Sequence, residues 1–274
     1  MRSDDFNCIR DLVKEHAALL LEPGKEYLVE SRLTPLARQE GFSSLQQLVD
    51  HLRSRPGDEI RRKVVEAMTT NETSFFREMR VFEMFRKTIL PTLTAVRGRE
   101  RSIHLWCAAS STGQEPYSFA MLLREYFPVE SWNVSFLASD ISRETLVRAR
   151  AGRYNQLEIN RGLPAHLLVK YFEKRGATWE ISPDIRRMVE FREINLIEAW
   201  PSLPRMDVIF LRNVLIYLDR GTKKDILSRT RRLLNPDGYL LLGGAETTTN
   251  LEDAFEPVVL NGATCFRLRP QNRA

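Results

Sequence analysis

Apolar positions recur at helical spacing over the first 70 residues, and near residue 100 the rhythm changes to short apolar runs alternating with helical stretches. Phe6, Ile9, Leu12, Val13, His16 and Leu20 trace one helical face, broken by Pro23-Gly24. Residues 25–39 form a second predicted helix with Leu28, Leu33 and Leu36 inward. Lys25 and Arg32, seven positions apart, share its outer face. Gly41 stops it, and helices over 43–52 and 58–68 follow, separated by Arg55-Pro56-Gly57. The run TTNETSFFRE at 69–78 suits a connector that also lines a site. Its alternative is a helix cap at Thr70 or Asn71 followed by core phenylalanines. A helix over 81–93 ends near Pro91, and the basic stretch 96–101 is a loop.

Residues 102–127, SIHLWCAASSTGQEPYSFAMLLREYF, read as strand, tight turn and helix. Small residues fill 108–113, Pro116 sits in the first helical turn, and Phe119, Leu122, Leu123 and Phe127 recur at helical spacing. Such a junction points backbone N–H groups into the crevice where doubly wound α/β folds bind nucleotides. The single glycine excludes a GxGxxG site, and no Gly-Lys-Ser/Thr follows as in a P-loop. An ordinary connection with a Thr112/Glu115 capping box is the competing reading.

A second strand, 134–138, ends at Ser139-Asp140, and Ser142 caps a helix that Gly152 ends. An acid at that strand end accepts hydrogen bonds from a ribose diol in such folds, unless Asp140 only helps cap the helix. Residues 154–187 break the alternation and predict an inserted subdomain with a small β-hairpin around Gly176. Strands follow at 189–194, closed by Asn195-Leu196, and at 206–212, followed by Asn213 to Tyr217. Arg212 closes an apolar strand and therefore needs a partner. Taken alone, Tyr217 reads equally as a core or capping tyrosine. Thr222 caps a helix to Leu234, Asn235-Pro236-Asp237-Gly238 turns into a strand over 239–242, and a last strand spans 263–268 before a frayed tail, 269–274. The alternation from about 102 to 242 implies a parallel sheet with right-handed crossovers.

Length and composition sharpen this. The 274 residues allow one large domain or two smaller ones. No apolar run approaches the roughly 20 residues that cross a membrane, and the first residues, MRSDDFNC, do not resemble a signal peptide. Three dispersed cysteines (Cys8, Cys107, Cys265) and four scattered histidines suit a reducing cytoplasm and no metal centre. The net charge of +5 permits an acidic partner without naming its class.

TTNETSFFRE, LWCAASSTGQEPYSFAMLL at 105–123, Ser139-Asp140, Asn195-Leu196 and FLRNVLIYLD at 210–219 occur in this order across nearly the whole chain. Together they resemble the CheR family of S-adenosylmethionine-dependent methyltransferases, which esterify glutamates on chemotaxis receptors. The resemblance implies a class I (Rossmann-like) α/β methyltransferase domain over 96–274 with a β-subdomain inserted at about 154–187. An all-α N-terminal domain, 1–75, and a connecting helix, 76–95, precede it. It implies that Asn71, Thr73 and Arg77 touch the cofactor's methionine end, that Glu115 holds its amino group, that Asp140 holds the ribose, and that Asn195 and Leu196 flank the adenine. Arg212 and Asn213 would border the cofactor, with Arg212 and Tyr217 as catalytic residues beside the transferred methyl. Lys25 and Arg32 would dock an acidic receptor helix. The family's arginine before the first strand has three contenders here, Arg97, Arg99 and Arg101.

The activity implied is protein-glutamate O-methylation without a metal, yielding S-adenosylhomocysteine. The enzyme would be monomeric and cytoplasmic, acting on receptor arrays at the inner membrane and not on nucleic acid, with any regulatory protein partner unspecified. Two departures stand out. Gln114 replaces an acid common in relatives, and the loop after Lys174 is short, with the single glycine Gly176. The second implies independence from a C-terminal pentapeptide tether on the receptor. A nucleic-acid methyltransferase is disfavoured because residues 213–216, Asn-Val-Leu-Ile, lack the prolines of the Asn/Asp-Pro-Pro-Tyr/Phe box. A nicotinamide dehydrogenase lacks its fingerprint, and a non-catalytic docking protein would not need the full residue set.

Overall fold

The computed structural model describes residues 1–55 and 59–270. Four helices form the N-terminal domain: α1 (Ser3–Ala17), α2 (Glu26–Gln39), α3 (Leu45–Ser54) and α4 (Glu59–Met68). Phe6, Ile9, Leu12 and Val13 of α1 pack with Val29, Leu33 and Ala37 of α2 and with Leu48, Val49, Val64 and Met68. Val29 and Ala37 thus take the inward places expected of Leu28 and Leu36, which are only half-buried. Ala18 adopts a left-handed φ of 52° and ends α1, so Leu20 leaves the apolar face and is 52% exposed. The expected turn at Pro56-Gly57, the start of α4 at Asp58 and the end of the tail lie outside the described residues.

Residues 69–78 are not helical, and neither Thr70 nor Asn71 caps a helix. A continuous helical rod follows: α5 (Met79–Met84), a π turn (Phe85–Ile89) and α6 (Leu90–Val96). Pro91 therefore does not end it. The wide turn directly precedes the proline, whose ring and missing N–H do not fit a regular helical ladder.

The second domain alternates as expected: β1 (Ser102–Ala108), α7 (Gln114–Tyr126), β2 (Asn133–Asp140) and α8 (Arg143–Ala151). The insertion holds β3 (Arg153–Asn155), α9 (Gln156–Asn160), α10 (Ala165–Tyr171), β4 (Phe172–Arg175), β5 (Thr178–Ile181) and α11 (Pro183–Arg186). Its sheet has three strands ordered β3-β5-β4, one more than the expected hairpin, and Gly176-Ala177 make a two-residue turn. The insertion packs directly on the connector, where a Cβ on Gly162 would lie 2.2 Å from the Phe75 carbonyl oxygen.

The main sheet is completed by β6 (Glu190–Glu193), β7 (Met206–Leu211), β8 (Leu234–Leu242), β9 (Phe255–Leu260) and β10 (Ala263–Leu268), with α12 (Arg220–Leu233) before β8. Its order is β6-β2-β1-β7-β8-β10-β9. The first five strands are parallel, but β10 pairs antiparallel with β8 and with β9, so the sheet is mixed and not wholly parallel. Sequence reading misses β9 because Pro257 interrupts it, which only an edge strand tolerates. Asp219, not Thr222, caps α12, its carboxylate accepting from the Thr222 N–H at 2.9 Å. Strand order reverses between β1 and β7, which opens a crevice at their carboxyl ends. Beneath it Phe119 stacks on Phe210 at 3.9 Å and on Phe82 at 4.4 Å. Among the described residues no helix is long and apolar enough to cross a membrane.

Candidate functional site

The loop after β1 is held open by its backbone. Ala109, Ser111 and Gly113 have φ of 55°, 50° and 93°. At Gly113 a Cβ would also press on Ala149, Tyr117 and Tyr154 at 3.1–3.2 Å, so glycine is required. Gly113 begins α7 without a side-chain cap, and the Thr112/Glu115 capping box does not form. Thr112 donates to the Gln114 side chain instead, at 2.8 Å. Asp140, buried at the end of β2, accepts from the Ser111 N–H at 2.8 Å and the Ser142 N–H at 3.0 Å. Burial pushes its carboxyl pKa up, against those hydrogen bonds. Asp140 also lines the crevice. Ser111 Oγ donates to the Asn71 carbonyl at 2.9 Å and fastens the connector over the loop.

Glu115 is freed from capping for another task. One carboxylate oxygen pairs with Arg212, and the other accepts from the Cys107 thiol at 3.4 Å. Burial, aided by Glu115's charge, pushes the thiol pKa well up and keeps it a donor. Arg212 is wholly buried. It also bonds the Arg77 carbonyl at 2.8 Å and reaches Glu78 at 3.3 Å. Its strand-end charge thus has two carboxylate partners, one on each terminal nitrogen. Arg212 therefore orients Glu115 from the wall of the cleft, and its buried Nε–H has no partner.

Asn71, Thr73, Arg77 and Glu115 line one cleft with Asp140, Asn195 and Leu196, and Arg212, Asn213 and Tyr217 form its far side. The helical domain supplies a wall through Ala17 and Leu19. Leu19 bridges Leu218, and the Leu20 N–H donates to the Tyr217 carbonyl at 3.0 Å. Asn195 spends its amide on the His16 carbonyl at 2.8 Å and on Glu198 at 2.9 Å, so its side chain braces the wall and leaves its backbone to the cleft. Glu66 of α4 accepts from Ser142 Oγ at 2.9 Å, beside Asp140.

Arg32 is not on a solvated outer face. Its guanidinium turns inward to the Met68 and Thr69 carbonyls at 2.6 and 2.9 Å and to Thr70 Oγ1 at 3.2 Å. Burial lowers its pKa, opposed by the nearby Tyr217. It caps the end of α4 and fixes the start of the connector. Lys25 lies near the Tyr27 ring at 6.0 Å, outside the cleft. None of the arginines before β1 reaches the site, since they sit at the opposite ends of the parallel strands. Arg97 bonds Asp207 and Asp237 at 2.8 Å, and Arg99 and Arg101 are exposed.

Sequence reading misses Ser110, Cys107, Glu78, Glu246 and the α1 wall. The wall and Glu246 lack any local signal. The cleft fits an S-adenosyl cofactor on its own chemistry. Ser110 Oγ is buried at its edge without a partner, and small side chains expose the loop backbone. Two carboxylates, Glu115 and Asp140, line it, a donor set that suits a ligand with an ammonium and a diol. Among the described residues no group of three or more His, Cys, Asp or Glu side chains could hold a metal.

Comparison with known proteins bears on the same residues. Residues 71–263 match the family model described as CheR methyltransferase, SAM binding domain, and residues 4–69 match CheR methyltransferase, all-alpha domain. Chemotaxis protein methyltransferase 1 of Pseudomonas aeruginosa is 39% identical over 270 residues, 97% of this chain and 98% of the relative. Chemotaxis protein methyltransferase Cher2 of Pseudomonas putida is 39% identical over 259 residues, 93% of this chain and 94% of the relative. Among solved structures, the glycopeptide N-methyltransferase MtfA complexed with S-adenosylmethionine covers 64% of this chain and 62% of its own at 17% identity, with a TM-score of 0.35.

Proposed function

The chain belongs to the CheR methyltransferase family, and on that premise we propose that it esterifies glutamate side chains on the cytoplasmic helices of chemotaxis receptors. It is an S-adenosylmethionine-dependent methyltransferase of chemotaxis, with a helical domain preceding a class I fold. The glutamate assignment, the roles of individual residues and the mode of receptor docking are the proposal. The observation that carries it is the convergence of the connector, Glu115, Asp140 and the segment from Arg212 to Tyr217 on one cleft.

Bound there, the cofactor supplies a methyl group activated by a sulfonium. Glu115, held by Arg212, would receive the amino group, and Asp140 would receive the ribose diol. Asn71, Thr73 and Arg77 would contact the methionine end, and the backbone at Asn195-Leu196 would flank the adenine. The acceptor glutamate, with an ordinary pKa of about 4.3, is ionised at neutral pH, so no general base is required. Its carboxylate oxygen would be the nucleophile for that methyl, the sulfur leaving with the bonding pair. The chain's task is alignment, which oriented intramolecular reactions value at about 7–11 kcal/mol. Tyr217, half-buried at the mouth, serves as the donor that positions the acceptor carboxylate.

The two-residue turn at Gly176-Ala177 supports a tether-independent enzyme. We place it, as a monomer, at receptor arrays on the inner face of the membrane. The test is transfer of labelled methyl to a receptor cytoplasmic fragment, followed by mild base. Carboxyl esters release methanol, and a base-stable label refutes the glutamate assignment. A non-catalytic docking protein is not favoured, and it would transfer no label at all.

A further inference from the structure

A carboxylate outside the cleft controls the segment that carries Tyr217. β7 ends at Leu211, and Asn213 takes a left-handed φ of 58°. Its N–H has left the sheet ladder and requires an acceptor. That acceptor is Glu246 Oε2 at 2.8 Å. The same oxygen takes the Gly243 N–H at 2.7 Å, within a tight turn closed by the Glu246 N–H on the Gly243 carbonyl at 2.9 Å. The other oxygen, Oε1, takes the Ile216 N–H at 3.2 Å. Ile216 lies in the 3₁₀ turn Leu215–Tyr217, so Glu246 is the anchor of the turn that presents Tyr217 to the cleft. Glu246 itself does not line that cleft.

The packing is tight enough to matter. A Cβ on Gly243 would lie 2.4 Å from Asn213 Nδ2 and 2.9 Å from its backbone nitrogen. Glu78 supports the clamp from the other side, accepting from the Gly244 N–H at 3.1 Å and from Asn213 Nδ2 at 3.4 Å. These are charge-assisted bonds to one rigid segment, stronger than neutral ones. We infer that Glu246 is a positioning residue for methyl transfer, setting the place of Tyr217 over the cleft through the Asn213 and Ile216 N–H groups. The inference rests on the methyltransferase reading above.

Glu246→Gln isolates the effect. A carboxamide has one acceptor oxygen, which can serve Asn213 and Gly243 but leaves its NH₂ facing the Ile216 N–H. The test is a double-mutant cycle of Glu246→Gln with Tyr217→Phe, reading kcat for methyl transfer to a receptor fragment alongside affinity for S-adenosylhomocysteine. The expected result is a kcat loss of about tenfold or more for Glu246→Gln, since small misplacements carry such penalties, with cofactor affinity nearly unchanged. In the Tyr217→Phe background the same substitution should cost less than about twofold, because the residues act as a unit. Gly243→Ala, which pushes on Asn213 from behind, should reproduce the pattern and carries the cycle if Glu246→Gln does not fold. Multiplicative losses in an active enzyme overturn the positioning role alone, as does full turnover by Tyr217→Phe. An inactive wild-type protein overturns the methyltransferase reading together with this inference.

Discussion

Glu115→Gln tests how the cleft chooses its ligand. Arg212 carries one positive charge, entirely buried, between the carboxylates of Glu115 and Glu78, whose side chains are 13% and 34% exposed. One guanidinium cannot neutralise both, so the cluster keeps one net negative charge at the edge of the cleft. A ligand ammonium about 4 Å from it, at an effective dielectric near 20, gains roughly 4 kcal/mol before desolvation. After desolvation, hydrogen bonds to charged groups retain about 1.5–3 kcal/mol. Glutamine preserves Glu115's volume and can still accept from Arg212, which keeps Glu78 and the Arg77 carbonyl. Affinity for S-adenosylhomocysteine should therefore fall about 10- to 150-fold by calorimetry, with a melting temperature lowered by only a few degrees. An analogue lacking the amino group should bind wild type and variant alike. Unchanged affinity for S-adenosylhomocysteine, or an equal loss for the deamino analogue, would refute the charge argument.

Other substitutions separate scaffold from site. Arg97→Met should lower stability by about 3–5 kcal/mol, because it strands the buried Asp207; turnover at low temperature should persist, and its loss without a lower melting temperature would return Arg97 to the reaction. The Arg97 guanidinium also holds the Asp237 carboxyl below its usual range. That contribution is present above the unfolded pKa of about 3.9 and lost as pH falls through the lower folded value, so acid melts of wild type and Arg97→Met should converge. Arg32→Ala should weaken S-adenosylhomocysteine binding and lower the melting temperature, because it uncaps α4 and frees the connector. Lys25→Glu should raise the KM for a receptor fragment and leave both properties alone. The reverse pattern would restore Arg32 to a docking face.

Much of this was legible before the fold was seen, for identifiable reasons. The strand–turn–helix at 102–127 announced itself because small residues and a glycine have few other uses between an apolar run and an amphipathic one. Asp140 was readable from its place at a strand end. Arg212 was known to need a partner, but the chain cannot say which carboxylates lie near in space. Arg32 looked solvated because helical periodicity reports a face and not what the neighbouring helix end requires. The arginines before β1 stay open contenders in the sequence, because closeness to β1 along the chain does not say which end of it faces the cleft. β9 hid behind Pro257, and Glu246 stayed invisible because its partners are backbone groups, which leave no mark in a sequence.

The wall that α1 and its exit segment build along the cleft has a consequence for the way this protein melts. Ala17 belongs to the core of the helical domain, Leu19 packs against both that core and the core of the second domain, and Glu115 and Asp140 lie on the second domain. A ligand between them is bound only when both cores are folded, so its binding free energy is shared between them by mass action. Unliganded, the helical bundle can loosen at its own temperature. Saturated, neither domain can open without forfeiting the ligand, and two calorimetric transitions should merge into one.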